Sequence, residues 1–569
     1  MSEHDFARRV VEDAAEVIAP EANLIPELDM GSFGASVLAV LNRALEHPDE
    51  VAGAGWRFWT TLGRIAQFTA YRSAGRDAPP PIPAGKDKRF ADRTWEDNPA
   101  FAGLRQAYLA FKQFSEDMLD AGSGDPVSDA KARLMIGFLV DAVAPTNFLA
   151  TNPAALKRAF ETGGASVVAG AVNFVDDLVH NDGRPSQVDR RPFQVGKNLA
   201  ATPGKVVYKN DLMELIQYAP QTPEVGAIPM LMSPAWINKY YIMDLAPGRS
   251  FIEWAVQHGH TVFAISYRNP DESMRGVRLD DYLIEGPRTA LDVMCDITGS
   301  DKVNITGLCL GGALTAMLAA YLVRTGDDRI GCITLLNTLL DYSEPGVLGV
   351  FTDERTVAQM EHHMAAKGFL EASDMRTSFD MLRANDLIFS YVATNWLMGQ
   401  QPPAFDILAW NSDSTRMPAA MHSFYLRSLY LHNQLATGEL ELAGQQLSLK
   451  EIKTDTYVVS AENDHIVPWT ASYKTTGLLG GHVRYLLSNG GHIAGIVNPP
   501  GPKAWHEVSQ DSHGSAEQWR AGAKVIKGSW WEDWADWAGQ RAGGMVKPPK
   551  MGSPRNPVQG DAPGQYIHG

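Results

Sequence analysis

The sequence predicts an α/β protein: a mainly parallel sheet covered on both faces, with a helical insertion and a helical region before it. Three observations carry this. Strands alternate with helices from about residue 190 to 336, the pattern of parallel strands joined by helical crossovers. The alternation breaks over about 338–430, a stretch rich in Met, Trp, Phe and Tyr, and then two more strands follow. One strand-to-helix junction, Lys302 to Gly312, carries a cysteine with glycine two residues to either side.

In chain order, residues 1 to about 75 read as helical. Phe6, Val10, Val11, Ala14, Ala15 and Ile18 follow helical spacing, and Trp56, Phe58, Trp59, Leu62, Ile65 and Phe68 form a second stripe. That stripe suits a packed helix face better than a membrane-facing one. Asp77 to Gly85 is a proline-rich, stiff connector. Helices continue through Tyr108 and Phe111, one ends near Pro145, and another starts at Asn152-Pro153. Residues 1–190 form one helical N-terminal domain on this reading, and 191–569 the catalytic domain.

Within the second domain, Val206-Val207-Tyr208 and Met213 to Tyr218 make a hairpin around Asn210-Asp211. Strands follow at Ile228–Met232 and Thr261–Ser266, a helix at about 280–298, the junction strand, and a strand at Ile330–Leu336. An insertion at this place usually caps an active site. The sheet resumes at Thr456–Ser460 and Val483–Leu487, and the tail from about 543 reads as irregular.

Composition narrows the function. At 569 residues, two or more domains are expected. A net charge of −16 argues against a nucleic-acid partner. No apolar run resembles a signal peptide or a spanning helix. Cys295, Cys309 and Cys332 are too few for a disulfide framework and fit a reducing cytoplasm. With neither CxxC nor HExxH, no metal site is expected.

The junction Gly307-Leu308-Cys309-Leu310-Gly311 is a nucleophile elbow, G-x-S-x-G with cysteine for serine. A sharp turn leaves no room for a Cβ at the flanking positions, and it lifts the central side chain above the sheet at a helix N-terminus, which favours a thiolate. The competing reading is a structural cysteine beside a glycine-rich turn. What decides between them lies further along. The last two strands end in Asp464 and His492, giving the chain order nucleophile, acid, histidine of an α/β-hydrolase fold. His492 can take the thiol proton, and Asp464 can fix the imidazole tautomer. The Leu310 N–H can stabilise an oxyanion, with a second donor from the loop after strand 228–232. His465 competes for the base role but adjoins Asp464 instead of following the last strand. Cys295 and Cys332 read as buried apolar fillers. A cysteine nucleophile exchanges thioester for thioester at little cost, so an acyl-CoA donor is a natural substrate.

Several blocks together resemble the polyhydroxyalkanoate synthases, class I above all. They are Gly307-Leu308-Cys309-Leu310-Gly311-Gly312, Trp236 to Leu245, Tyr267 to Asp271, Asp341 to Gly346, Pro403 to Asp413, Asp464 to Trp469, Gly491-His492-Ile493 and Gly528-Ser529-Trp530-Trp531. Phe90 to Pro99 and Ala144 to Asn147 resemble that family's N-terminal domain. Ser233 departs from it, since a proline is usual before Pro234, and so does Asn463, where a charged residue is usual.

The resemblance implies polymerisation of (R)-3-hydroxyacyl-CoA, with short-chain 3-hydroxybutyryl-CoA favoured, on Cys309 as a thioester. It implies that His492 activates Cys309, and that Asp464 supports His492 and assists the monomer hydroxyl. It implies no cofactor, CoA being part of the substrate and a product. It also implies a homodimer on cytoplasmic polyhydroxyalkanoate granules, with the N-terminal domain contributing to both contacts. Two other readings compete: a cysteine-dependent thioesterase or intracellular depolymerase of the same fold, and a non-catalytic granule-coat protein.

Overall fold

The computed structural model describes residues 30–83, 85, 87–372, 381–509 and 514–569. The expected helix at Phe6 to Ile18 lies outside them. The chain divides into two compact units, one of residues 30–189 with 381–403, the other of the remaining described residues.

The first unit is helical: α1 (Met30–Leu45), α2 (Pro48–Ser73), α3 (Pro99–Ala121), α4 (Pro126–Ala142), α5 (Pro153–Glu161) and α6 (Ala165–His180). Three of these helices start with one device. Asn98, Asp125 and Asn152 each accept a backbone N–H of the first turn, at 2.9, 3.0 and 3.1 Å, and each is followed by a proline whose missing N–H costs nothing there. The aromatic stripe expected on α2 is split. Ile65 and Phe68 are buried, whereas Trp56 and Trp59 are 72% and 69% exposed. Helical spacing alone does not say how wide the covered face is.

Residues 381–403 come from the middle of the insertion expected to cap the active site, and they pack with these helices. Phe389 lies 5.8 Å from Phe138, and Trp396 meets Phe174 edge-on at 5.0 Å. The Trp396 indole N–H donates to Asp177 at 2.7 Å. Arg89 donates to Asn385 at 2.7 Å, and Asn385 donates to Asp141 at 2.6 Å. The insertion is thus shared between the units.

The second unit is built on an eleven-stranded sheet. Its strands are β1 (Gly204–Lys209), β2 (Met213–Tyr218), β3 (Met230–Ser233), β4 (Val262–Tyr267), β5 (Val303–Leu308), β6 (Ile330–Leu336), β7 (Thr456–Ala461), β8 (Val483–Ser488), β9 (Trp505–Val508), β10 (Lys524–Lys527) and β11 (Gly560–Asp561). Their order is β10-β9-β8-β7-β6-β5-β3-β4-β2-β1-β11. The block from β8 to β4 is parallel, and antiparallel strands flank it on both sides. β5 and β7 are buried along their whole length, as strands covered on both faces must be.

Two expectations change here. The helix at 280–298 is interrupted by a π-turn at Ile284–Arg288, where Gly286 leaves helical geometry before Pro287, a residue that cannot donate in a helix. The tail from 543 is not merely irregular: β11 pairs with β1, and the buried Glu214 carboxylate accepts the N–H groups of Gln565 and Tyr566 at 2.8 and 3.0 Å. Among the described residues, no helix is long and apolar enough to cross a membrane.

Candidate active site

The site lies at the C-terminal ends of β5, β6, β7 and β8. β5 delivers Cys309, and α7 (Leu310–Thr325) starts on the next residue. Cys309 sits at φ +52°, in the region that side chains rarely adopt, as a nucleophile elbow requires. The turn is held by Cys309 N–H to Leu336 O at 2.8 Å and Gly312 N–H to Cys309 O at 2.9 Å. The glycines are needed for space. A Cβ on Gly307 would lie 2.5 Å from Gly312 Cα, and one on Gly311 would lie 2.2 Å from the Ser233 carbonyl oxygen. The loop leaving β3 is therefore packed directly on the start of α7. The Ser233 hydroxyl points at Gly311 O at 3.4 Å.

Asp464 follows β7 and His492 follows β8, and the fold brings them together. Asp464 Oδ2 lies 2.6 Å from His492 Nδ1, and both side chains are fully buried. Asp464 Oδ1 accepts the N–H groups of Ile466 and Val467, both at 2.9 Å. Both oxygens of that carboxylate are thus engaged, Oδ1 by two backbone N–H groups and Oδ2 by His492. The other imidazole nitrogen, Nε2, has no hydrogen-bond partner, and Cys309 acts on the imidazole electrostatically. Burial works against a charged imidazole here. Asp464 and then Cys309 outweigh it, and the His492 pKa is pushed up to about 10. In the first turn of α7 the Gly312 and Ala313 N–H groups already donate to Cys309 O, which leaves those of Leu310 and Gly311 available to an oxyanion.

The remaining cysteines differ from Cys309. Burial pushes the Cys332 thiol up to about 12, so it stays protonated, and Cys295 is only half-buried. Among the described residues, no cluster of His, Cys, Asp and Glu could hold a metal ion.

Residues outside the triad complete the site. Asn337, directly after β6, is fully buried at φ +42°. Its backbone N–H donates to Val459 O at 2.8 Å, and its side-chain amide donates to the His492 carbonyl. It thereby ties the acid strand to the histidine loop. The Gly528 to Trp531 block has a similar task. The indole N–H groups of Trp530 and Trp531 donate to Gly495 O and Ile496 O, both at 2.8 Å, and hold the chain after His492. Asn337 carried no sequence signal beyond an asparagine at a strand end.

Above the thiol, Leu339, Tyr342, Tyr430, Ile466 and Val467 close an apolar space of about 10 Å³, and Cys309 is 5% exposed. Tyr430 lies on a π-helical turn (Leu426–Leu431), a distortion that often re-aims a side chain at a functional site. The loop after β3 meets the insertion through the Trp410 indole N–H to Lys239 O at 2.8 Å and the Tyr241 hydroxyl to Asp413 at 3.0 Å. Two blocks distant in sequence, Trp236 to Leu245 and Pro403 to Asp413, are thus joined by these two bonds.

Known proteins match along the chain. Residues 86–255 match the family model described as poly-beta-hydroxybutyrate polymerase (PhaC) N-terminus, and 234–499 match that of the alpha/beta hydrolase fold. The chain is 40% identical over 556 residues to the poly(3-hydroxyalkanoate) polymerase of Methylorubrum extorquens, covering 97% of this chain and 92% of that one. It is 41% identical over 489 residues to poly(3-hydroxyalkanoate) polymerase subunit PhaC of Cupriavidus necator, covering 84% and 83%. With this similarity over nearly full length in both chains, the protein belongs to the poly(3-hydroxyalkanoate) polymerase family, a family of acyltransferase enzymes.

Proposed function

We propose that this chain polymerises (R)-3-hydroxyacyl-CoA, with short-chain 3-hydroxybutyryl-CoA as monomer, into polyhydroxyalkanoate through a covalent thioester on Cys309. Loading begins when His492 holds the thiol proton and the Cys309 sulfur attacks the thioester carbonyl carbon. The Leu310 N–H and a donor from the loop after β3 receive the oxyanion; Pro234 has no N–H, which leaves that donor to Ala235 onward. The C–S bond to CoA breaks, and His492 returns the proton to the departing CoA sulfur. For elongation, His492 takes the proton of an incoming monomer's 3-hydroxyl, whose oxygen attacks the acyl-Cys309 carbonyl. The Cys309 sulfur leaves, an ester forms, and the chain returns to Cys309 by the same exchange with loss of CoA. Asp464, with both oxygens occupied, orients His492.

One observation carries the choice of polymerase over thioesterase: Cys309 is buried, and the side chains around it, Leu339, Tyr342, Tyr430, Ile466 and Val467, are apolar or aromatic and favour the exclusion of water. A long-lived acyl-thioester needs that exclusion. The same reading makes the enzyme a homodimer at granule surfaces in the cytoplasm, with residues 1–190 as the contact domain. The uncharged stripe Val168, Val172, Val175 and Val179 on α6, exposed throughout, supports contact with an apolar polymer. The test mixes purified protein with (R)-3-hydroxybutyryl-CoA and follows free CoA and insoluble polymer together. Both are expected with the native chain and neither with Cys309→Ala. Release of free 3-hydroxybutyrate without polymer would establish a thioesterase instead.

A further inference from the structure

The roof over Cys309 contains a polar group that the chemistry above does not use. Tyr342 is 2% exposed and lines the same small space as Cys309, yet its hydroxyl has no hydrogen-bond partner. Buried hydroxyls are nearly always satisfied, because an unpaired one forfeits its bonds to water without replacement. The residue is also held firmly. Its N–H donates to Asn433 Oδ1 at 2.8 Å, and the Asn433 amide donates to Asp341 at 2.8 Å. Asn433 itself is in the left-handed region at φ +49°. The Tyr342 ring meets Tyr430 edge-on at 4.9 Å. An immobile donor with nothing to donate to, beside the nucleophile, is arranged for a ligand atom.

That atom has to be an acceptor on the group attached to Cys309. Burial, then Tyr430 and Cys309, hold the phenol pKa well above its ordinary value, so the hydroxyl keeps its proton and donates. Within a 3-hydroxyacyl unit, the carbonyl oxygen is already provided for by the helix N-terminus. The C3 oxygen of the acyl group already on Cys309, a hydroxyl after the first loading and an ester oxygen once the chain has grown, has no other partner identified in the site; the hydroxyl that His492 deprotonates belongs to the incoming monomer.

We propose that Tyr342 recognises the C3 oxygen of the acyl group on Cys309, and so selects 3-oxygenated over unsubstituted acyl thioesters. This rests on the reading that Cys309 is acylated. Tyr342 is then a specificity-determining residue that touches substrate.

The test compares first-turnover CoA release from (R)-3-hydroxybutyryl-CoA and from butyryl-CoA by the full chain and by Tyr342→Phe. The native chain is expected to prefer the hydroxylated ester, and Tyr342→Phe to reduce that preference about 10-fold. Its melting temperature should be no lower than that of the native chain, since the hydroxyl bonds to no protein group. Equal falls for both esters would show that the ring merely packs, and an unchanged ratio would show that the hydroxyl reads nothing. Either result overturns the inference while leaving the polymerase reading intact. A native chain that releases CoA from neither ester overturns the polymerase reading itself, and this inference with it.

Discussion

Gly311→Ala tests how the elbow and the loop after β3 depend on each other. The added Cβ would lie 2.2 Å from the Ser233 carbonyl oxygen and 2.4 Å from that of Pro234. Carbon and carbonyl oxygen normally approach no closer than about 3.3 Å. The two backbones must therefore part by about 1 Å, and neither obstacle is a flexible side chain that could swing away. Overpacking of this kind costs about 1–3 kcal/mol of stability. A misplacement of about 1 Å at reacting groups costs about 100-fold in rate. The variant should fold, melt a few degrees lower, and release CoA from (R)-3-hydroxybutyryl-CoA about 100-fold more slowly. Gly477→Ala, where nothing lies within 4 Å of the new Cβ, is the control and should match the native chain in both measurements. If Gly311→Ala kept activity within twofold of native, the close packing of that loop on α7 would be irrelevant to catalysis and the oxyanion argument would fail.

Two further predictions concern titration. Asp464→Asn removes the largest contribution that raises the His492 pKa, leaving burial to lower it. Since that pKa lies above its unfolded value, the charged imidazole persists through neutral pH in the native chain and is lost only as pH rises through about 10. The ring-proton NMR signal of His492 should then stay unchanged between pH 6 and 8 in the native chain but move with pH in the variant. CoA release should fall about 1,000-fold or more; matching pH profiles for the two chains would remove Asp464 from this role. Asp244 is a different case: burial raises its pKa from 3.8 to about 6, opposed by hydroxyls of Thr202 and Ser250. The folded chain binds this proton more tightly than the unfolded one, so Asp244 makes stability fall as pH rises from about 4 to 6, by about 3 kcal/mol at most. Across that range, urea unfolding should show Asp244→Asn gaining on the native chain; parallel curves would contradict the assignment.

The strands that position the site were readable because they are short, apolar and β-branched, and each ends in a residue whose chemistry is recognisable. Ile330–Leu336 matches the observed strand residue for residue, and Cys309, Asp464 and His492 each follow the strand assigned to them. The outer strands β9, β10 and β11 went unread. They are two to four residues long, and β10 is exposed throughout, so no hydrophobic alternation marks them. The break at Gly286-Pro287 was legible in principle from the dipeptide. The attachment of 381–403 to the N-terminal helices was not. It depends on pairings such as Arg89 with Asn385, almost 300 positions apart, which no local pattern encodes. Asn337 and Tyr342 escaped for a related reason: their importance lies in a left-handed backbone and an unpaired hydroxyl, which only the folded chain displays.

The central claim is that Cys309 carries the acyl chain, and the most direct measurement is the mass of the protein trapped during turnover. The chain would be mixed briefly with (R)-3-hydroxybutyryl-CoA, quenched in acid and digested. One or more hydroxybutyryl units are expected on the peptide containing Cys309, removable by hydroxylamine and absent from Cys309→Ala. An adduct on Cys295 or Cys332, or CoA release by Cys309→Ala at the native rate, would contradict it.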